Sequence, residues 1–315
     1  MQGTFSVSRL GTMGRFGNMV FQYMFAKTYA RRFGLRVECP AWVGNYLFAA
    51  SDPPVERQLP IFREKDSHGR HDALIPNRNE PLAGHDIHGY FQYHTSYYAP
   101  DRDYLRDVFR LAPRLDSRLA RGWEPIAARG KTAVGIHVRR GDYGHSIFYR
   151  TPIDWYLRWL EAVWPTLDEP FLYVASDDVP LVAKAFSDYQ PAMLDDFRVN
   201  VGHTKLDFIR DWYALSRCQC LAMPNSTFSF SAAMFAEPGI RCFRSSLVDR
   251  GFISIEPWDA QPLVNGPEAL AENFPDIPDL LTVQPGKKRR LRTMVRRLFA
   301  HQPLRRLQVP WRKAA

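Results

Sequence analysis

No uncharged apolar run in the 315 residues approaches the ~20 that a membrane-spanning helix needs. The opening stretch MQGTFSVSRLGTMGRF also lacks the continuous apolar core of a signal peptide, which sets the expectation of a cytoplasmic protein. Cysteine is scarce: Cys39, Cys218, Cys220 and Cys242 show no metal-ligand spacing. The C-x-C at 218–220 is too short for a zinc ribbon or a redox pair. A disulfide scaffold and a structural zinc are thereby excluded, and the thiols are expected reduced and buried. There is no internal repeat and no low-complexity tract, which removes solenoids and linker-like proteins. No G-x-x-x-x-G-K-[ST] phosphate loop is present, and Gly14 and Gly17 do not complete G-x-G-x-x-G, so a nicotinamide site is poorly supported. Asp101-Arg102-Asp103 has a metal-holding pattern but lies in an aromatic, helix-like segment and not after a strand.

What is present is an ordinary globular composition, 45% hydrophobic and 24% charged, in a chain long enough for two domains. Its formal charge of +9 is unevenly spread. Eleven Lys and Arg residues, and no acid, follow Gly286; removing them from +9 leaves −2 on residues 1–286. A slightly acidic body with a basic tail does not describe a specific nucleic-acid binder.

The pattern along the chain alternates strands and helices. FSVSR reads as a strand, GTMGRFGN as a glycine-rich turn, and MVFQYMFAKTYARRFG as a helix closed by Gly34. Val20, Phe21, Met24 and Phe25 share one helical face, and LRVECP follows as a strand. Residues 51–85, rich in Pro, charge and His, read as loops with short elements, and Tyr90, Phe91, Tyr93, Tyr97 and Tyr98 form an aromatic cluster. A second series starts near Thr132, with strands AVGIHV, FLYVAS, CLAMP and IRCF separated by helices. The expectation is an α/β protein of two doubly wound units at 1–128 and 129–286, followed by a basic tail at 287–315.

In a parallel sheet, ligand chemistry gathers at the carboxyl ends of the strands. Three strand ends here are polar: His137–Asp142, Ser176-Asp177-Asp178, and Asn225-Ser226-Thr227. Arg139 offers a fork of donors suited to phosphate, and Ser226 and Thr227 open a helix whose N-terminus favours anions. Taken singly, Arg-Arg is a common solvated turn, SDD a common N-cap, and NST a sequon without its secretory context. Together they describe a site for a pyrophosphate-bearing ligand.

Those same segments resemble glycosyltransferase family 11, the α-1,2-fucosyltransferases of bacterial type. GRFGNMVFQYMFAKTYA, GYFQYHTSYY, VGIHVRRGDY, FLYVASDD and DWYALSRCQCLAMPNSTFSFSAAMFA match the family's blocks in order, over roughly residues 9–245. The resemblance implies a GT-B-like fold, two Rossmann-like domains facing a cleft, with GDP-fucose held by the second. It implies inverting transfer of L-fucose to a glycan hydroxyl, O-2 of a galactoside in the family, without a metal or other cofactor. Carried onto this chain, Arg139 grips the β-phosphate and His137 lies beside the nucleotide. Asp211 accepts from the guanine edge, and Ser226, Thr227 and Ser229 contact the phosphates. Gly17 and Asn18 close over the pyrophosphate from the first domain. Two departures stand out: Met19-Val20 where the family favours Gln-Met, and Phe230-Ser231 where it favours Trp-Trp, a change that either reshapes the acceptor pocket or repacks the core. A sibling enzyme with another nucleotide sugar or linkage, and a catalytically silent nucleotide- or glycan-binding protein, are the alternatives.

Transfer needs a base for the acceptor hydroxyl. Asp142 and His145 are the two candidates, with the alternatives that Asp142 is a salt bridge to Arg139 or Arg140 and that His145 is merely exposed. Strand alternation sends Arg139 with His137 and leaves Arg140 for a structural ion pair. In the tail, Leu291, Met294, Val295, Leu298 and Phe299 form an apolar helical stripe opposite basic residues. That pattern suits an anionic membrane surface, and with it a lipid-linked acceptor; a docked helix or a basic arm is the other reading.

Overall fold

Phe5 is fully buried edge-on against Tyr29, and this pair ties the first strand, β1 (Thr4–Ser6), to the first helix, α1 (Phe16–Phe33). The computed structural model describes residues 3–64, 75, 78–145 and 147–264; the basic tail and its apolar stripe lie outside the described residues. Gly34 ends α1 in the left-handed conformation (φ 62°), with its N–H closing on the carbonyls of Ala30 and Arg31. Only glycine takes that conformation without cost, which is why the helix stops there. Strand β2 (Arg36–Glu38) returns beside β1, followed by the short α2 (Gly44–Leu47). The loop-like region from 51 to 85 then contributes β3 (Ile61–Arg63), and β4 (Asp86–His88) comes immediately after it. These strands form a parallel sheet in the order β2-β1-β4-β3.

Two helices, α3 (Arg102–Val108) and α4 (Pro113–Ala127), lead to the second sheet. Trp123 of α4 packs on Phe171, Tyr173 and Phe197, so this helix precedes the second sheet in sequence yet lies against it. The second series runs β5 (Thr132–Val138), α5 (Ile153–Val163), β6 (Pro170–Ser176), α6 (Val179–Ala185), α7 (Phe208–Arg217), β7 (Cys220–Met223), α8 (Thr227–Met234), β8 (Arg241–Ser246) and β9 (Gly251–Ile255). Strand order is β6-β5-β7-β8-β9, parallel except that β9 folds back antiparallel on β8. IRCF therefore continues as a hairpin arm, which the alternating pattern did not foretell.

One core joins the two sheets. Phe16, at the start of α1, meets Phe208 and Trp212 of α7 and Phe228 of α8 at ring separations of 4.8, 5.9 and 6.4 Å. After β9 the chain crosses back, where Thr95 and Ala260 exchange backbone and hydroxyl hydrogen bonds of 2.9–3.0 Å. All four cysteines are free and buried, as expected. No helix of the described residues is long and apolar enough to cross a membrane.

Candidate active site

Strand β5 alternates as its sequence requires: Ile136 and Val138 enter the core under α5, while His137 turns toward α8. Tyr156 of α5 donates its hydroxyl to the His137 carbonyl at 2.8 Å, fixing the strand end. The His137 ring lies 2.8 Å (Nδ1) from the Ser229 hydroxyl and packs against Phe228. Burial pushes this imidazole down to about 4 despite the opposing charge of Asp177, so it is neutral at pH 7.

Arg139 is the next side chain on that face. Its Nε and Nη2 donate to Asp142 Oδ1 at 2.9 and 2.7 Å, and its Nη1 lies 2.9 Å from Asp177 Oδ2. Two of a guanidinium's five N–H groups are thus hydrogen-bonded among the described residues and Nη1 is ion-paired, which leaves N–H groups to meet a ligand. Asp177 does more than neutralise charge: its two oxygens accept from the backbone N–H groups of Arg140 and Gly141, both at 2.8 Å. A β-carbon at Gly141 would meet that carboxylate at 2.7 Å, so a larger residue would displace the Asp177 oxygens from these amides. Asp142 also pairs with Arg15 of the first unit at 3.3 Å, which spans the cleft.

The strand end after β7 supplies the third edge. Ser226 caps α8, accepting from the Phe228 N–H at 3.3 Å, and buried Asn225 is bonded to Ile147 and Val264. The Thr227 hydroxyl donates to Asn18 Oδ1 at 3.0 Å, and Gln92 donates to the same oxygen at 2.7 Å. Asn18 and Gly17, beside each other at the start of α1, therefore meet α8 directly.

Asp211 sits in the first turn of α7 and accepts from Tyr173 of β6 at 2.7 Å. Desolvation pushes this carboxyl up to about 7, although the Tyr173 hydrogen bond and Arg210 pull the other way.

Nine of the ten sequence-selected residues thus fall on the edges or faces around one boundary between the sheets. His145 is the outlier, exposed in a loop with its ring 6.0 Å from Phe148. Asp142 is engaged by two guanidiniums. One expectation is corrected: among the described residues Arg140 forms no ion pair, and its Nε is buried without a partner. Its backbone, not its side chain, is what the carboxylate holds. Asp177 was the residue whose role the sequence left unread. Its neighbour Asp178 is the N-cap, accepting from Leu181 N–H at 3.3 Å, which frees Asp177 to face the arginine motif.

The family model for glycosyl transferase family 11 matches residues 85–254, more than half of the chain. The chain belongs to glycosyl transferase family 11. One family relative, galactoside alpha-(1,2)-fucosyltransferase 1 of Alouatta caraya, is 26% identical over 268 residues, covering 71% of this chain and 63% of that protein. The chain therefore spans under two thirds of that relative's length. Among solved structures, the NodZ alpha-1,6-fucosyltransferase soaked with GDP-fucose superposes with a TM-score of 0.55 at 14% identity, over 81% of this chain and 99% of that one. NodZ from Bradyrhizobium crystallised without a named ligand gives 0.56 at 13%, over 81% and 99%. An Arabidopsis thaliana FUT1 mutant in complex with GDP gives 0.55 at 11%, over 78% and 70%. At such identities the likeness is one of fold, and the fold of this family 11 chain is GT-B-like.

The Phe230-Ser231 departure from the family's usual Trp-Trp can now be placed. Phe230 is fully buried against Phe21, and Ser231, also fully buried, accepts from the Trp212 indole at 3.1 Å. Both are core positions, so the change repacks the interior. The aromatic cluster divides in the same way: Phe91 and Tyr98 are core, Tyr93 and Tyr97 pack on it, and Tyr90 is exposed.

Proposed function

We propose that this family 11 chain transfers L-fucose from GDP-fucose, with inversion, to a glycan hydroxyl, O-2 of a galactoside. The observation that carries the reading is the convergence of Arg139, Asp177 and the Ser226–Thr227 helix start on one sheet edge, facing Gly17 and Asn18. As the C1–O bond breaks, negative charge grows on the β-phosphate of the leaving GDP. Arg139's remaining N–H groups and the α8 N-terminus answer that charge from fixed positions, without a metal. Asp177 and Asp142 hold the guanidinium in place beforehand, so little reorganisation accompanies the reaction. His137, neutral and tied to Ser229, contributes shape and a hydrogen bond beside the nucleotide and adds no charge. Asp211, once ionised, accepts from the N1–H and N2–H₂ of guanine.

The basic stripe of the tail supports docking on an anionic membrane at the cytoplasmic face, which suits a lipid-linked acceptor. The test of the activity is a donor panel: GDP or UDP release from GDP-fucose, GDP-mannose and UDP-galactose with a mixed glycan pool. Turnover confined to GDP-fucose and a galactoside product supports the reading, and turnover confined to another donor overturns it.

A further inference from the structure

The first sheet carries a polar cluster that the donor site does not use. Ser6 and His88 lie at the carboxyl ends of β1 and β4, Asp86 opens β4 beside Ser6, and Ser8 follows two residues beyond Ser6. They share the sheet face opposite α1, since Phe5 and Ile87 alternate into the core. Asp86 accepts from Ser6 Oγ at 3.0 Å, Ser8 N–H at 2.9 Å and Ser8 Oγ at 2.5 Å. His88 Nε2 lies 2.7 Å from Asp86 Oδ2. A carboxylate only accepts, so Nε2 carries the proton and the neutral ring keeps its lone pair on Nδ1. That nitrogen has no hydrogen-bond partner among the described residues, and the side chain is 15% exposed. An imidazole fixed at one nitrogen by a buried carboxylate and open at the other is the arrangement of a positioned base. Burial pushes Asp86 upward, but the bonds from Ser8, His88 and Ser6 outweigh it and keep the carboxyl below its usual range, ionised at neutral pH. The other charged groups on this face by register are Glu38 of β2 and Arg63 of β3.

The chain places this dyad on the donor side of the first sheet. Four residues after His88, Gln92 reaches Asn18, which holds Thr227, and the segment after β1 leads to Arg15, which pairs with Asp142. Asp142 itself is occupied by two guanidiniums, so its oxygens are already engaged. We propose that His88 is the base that takes the proton from the acceptor hydroxyl, with Asp86 as its positioning residue. This rests on the fucosyl-transfer reading above. The acceptor oxygen forms its bond to C1 of fucose while its proton passes to Nδ1. The C1–O bond to the β-phosphate breaks, and GDP leaves with the electron pair. The imidazolium then returns its proton to solvent.

The experiment uses the full chain with GDP-fucose and a galactoside, reading kcat, KM and the pH profile, with GDP affinity measured by calorimetry. His88→Gln should lower kcat by ~10²-fold or more while GDP affinity stays unchanged. His88→Ala should regain part of its turnover with added imidazole. Asp86→Asn should lower kcat with GDP affinity unchanged, and Asp86→Glu should restore part of it, because the carboxylate holds the ring at Nε2. Near-normal kcat in both His88 variants, or in Asp86→Asn, overturns the base assignment alone. A wild-type protein that binds GDP yet transfers fucose to no acceptor overturns the proposed function, and the base assignment with it.

Discussion

Gly17 presses so closely on Thr227 that a β-carbon there would sit 2.5 Å from the Thr227 carbonyl carbon and 2.5 Å from the Phe228 nitrogen. This is where α1 of the first unit meets the start of α8 in the second. The obstructing atoms are backbone and cannot rotate away. Gly17→Ala should therefore force the two units apart locally, costing ~1–3 kcal/mol. A fall in the urea midpoint, with weakened GDP binding, is the expected outcome. Full stability in the variant would mean that the close approach is not part of the folded protein.

The Asp211 carboxyl gives a pH-dependent prediction. Its folded value of about 7 lies above the ordinary carboxylate range, so the folded protein holds a proton that the unfolded chain has released. Stability from this group is complete below about pH 4 and is lost as pH rises toward 7. The stability of wild type relative to Asp211→Asn, read from urea midpoints, should fall across that window. Ligand binding should run the other way. In the proposed donor site the ionised carboxylate holds guanine, so GDP affinity should rise roughly tenfold between pH 6 and 8, and Asp211→Asn should abolish the rise. At pH 8 the variant should bind GDP about 2 kcal/mol more weakly. A pH-independent affinity in wild type would show that this carboxylate does not face the nucleotide.

Much of this was legible in the sequence, for identifiable reasons. The β5 strand is buried on both faces, so VGIHV reads as a continuous apolar strand and delivers His137 and Arg139 to the edge. Gly34 marks the end of α1 because its left-handed turn admits little else. What stayed hidden depends on contacts between distant segments. Asp177 is one of two adjacent acids, and only the parallel pairing of Val138 with Ser176 brings it beside Arg139 and the 140–141 amides. Arg140 looked like an ion-pairing residue because nothing in the local pattern shows that its guanidinium turns inward. The first sheet was harder still. FSVSR and LRVECP read as strands, but β3 and β4, three residues each, are too short for alternation to declare them, and nothing in the local pattern marks Asp86 and His88.

The tail yields a prediction from its sequence alone. Eleven positive charges without an acid, alongside an apolar stripe, should bind anionic vesicles and release them in high salt. A chain ending at Gln284 should lose vesicle binding in a sedimentation assay while keeping turnover on a soluble acceptor. Equal binding by both chains would place the membrane contact elsewhere or remove it.

The central claim is that Arg139, held by Asp177 and Asp142, stabilises the diphosphate leaving group in place of a metal. Lysine offers one ammonium where arginine offers a planar fork, so Arg139→Lys cannot satisfy both carboxylates and a phosphate at once. Steady-state GDP release from GDP-fucose, with and without EDTA, tests this most directly. The account predicts that Arg139→Lys and Arg139→Ala fold normally and lose ~10²-fold or more, chiefly in kcat, because the interaction strengthens as the bond breaks. It also predicts that wild-type turnover is unaffected by EDTA. Near-normal kcat in Arg139→Ala, or wild-type activity abolished by EDTA and restored by a divalent cation, would contradict it.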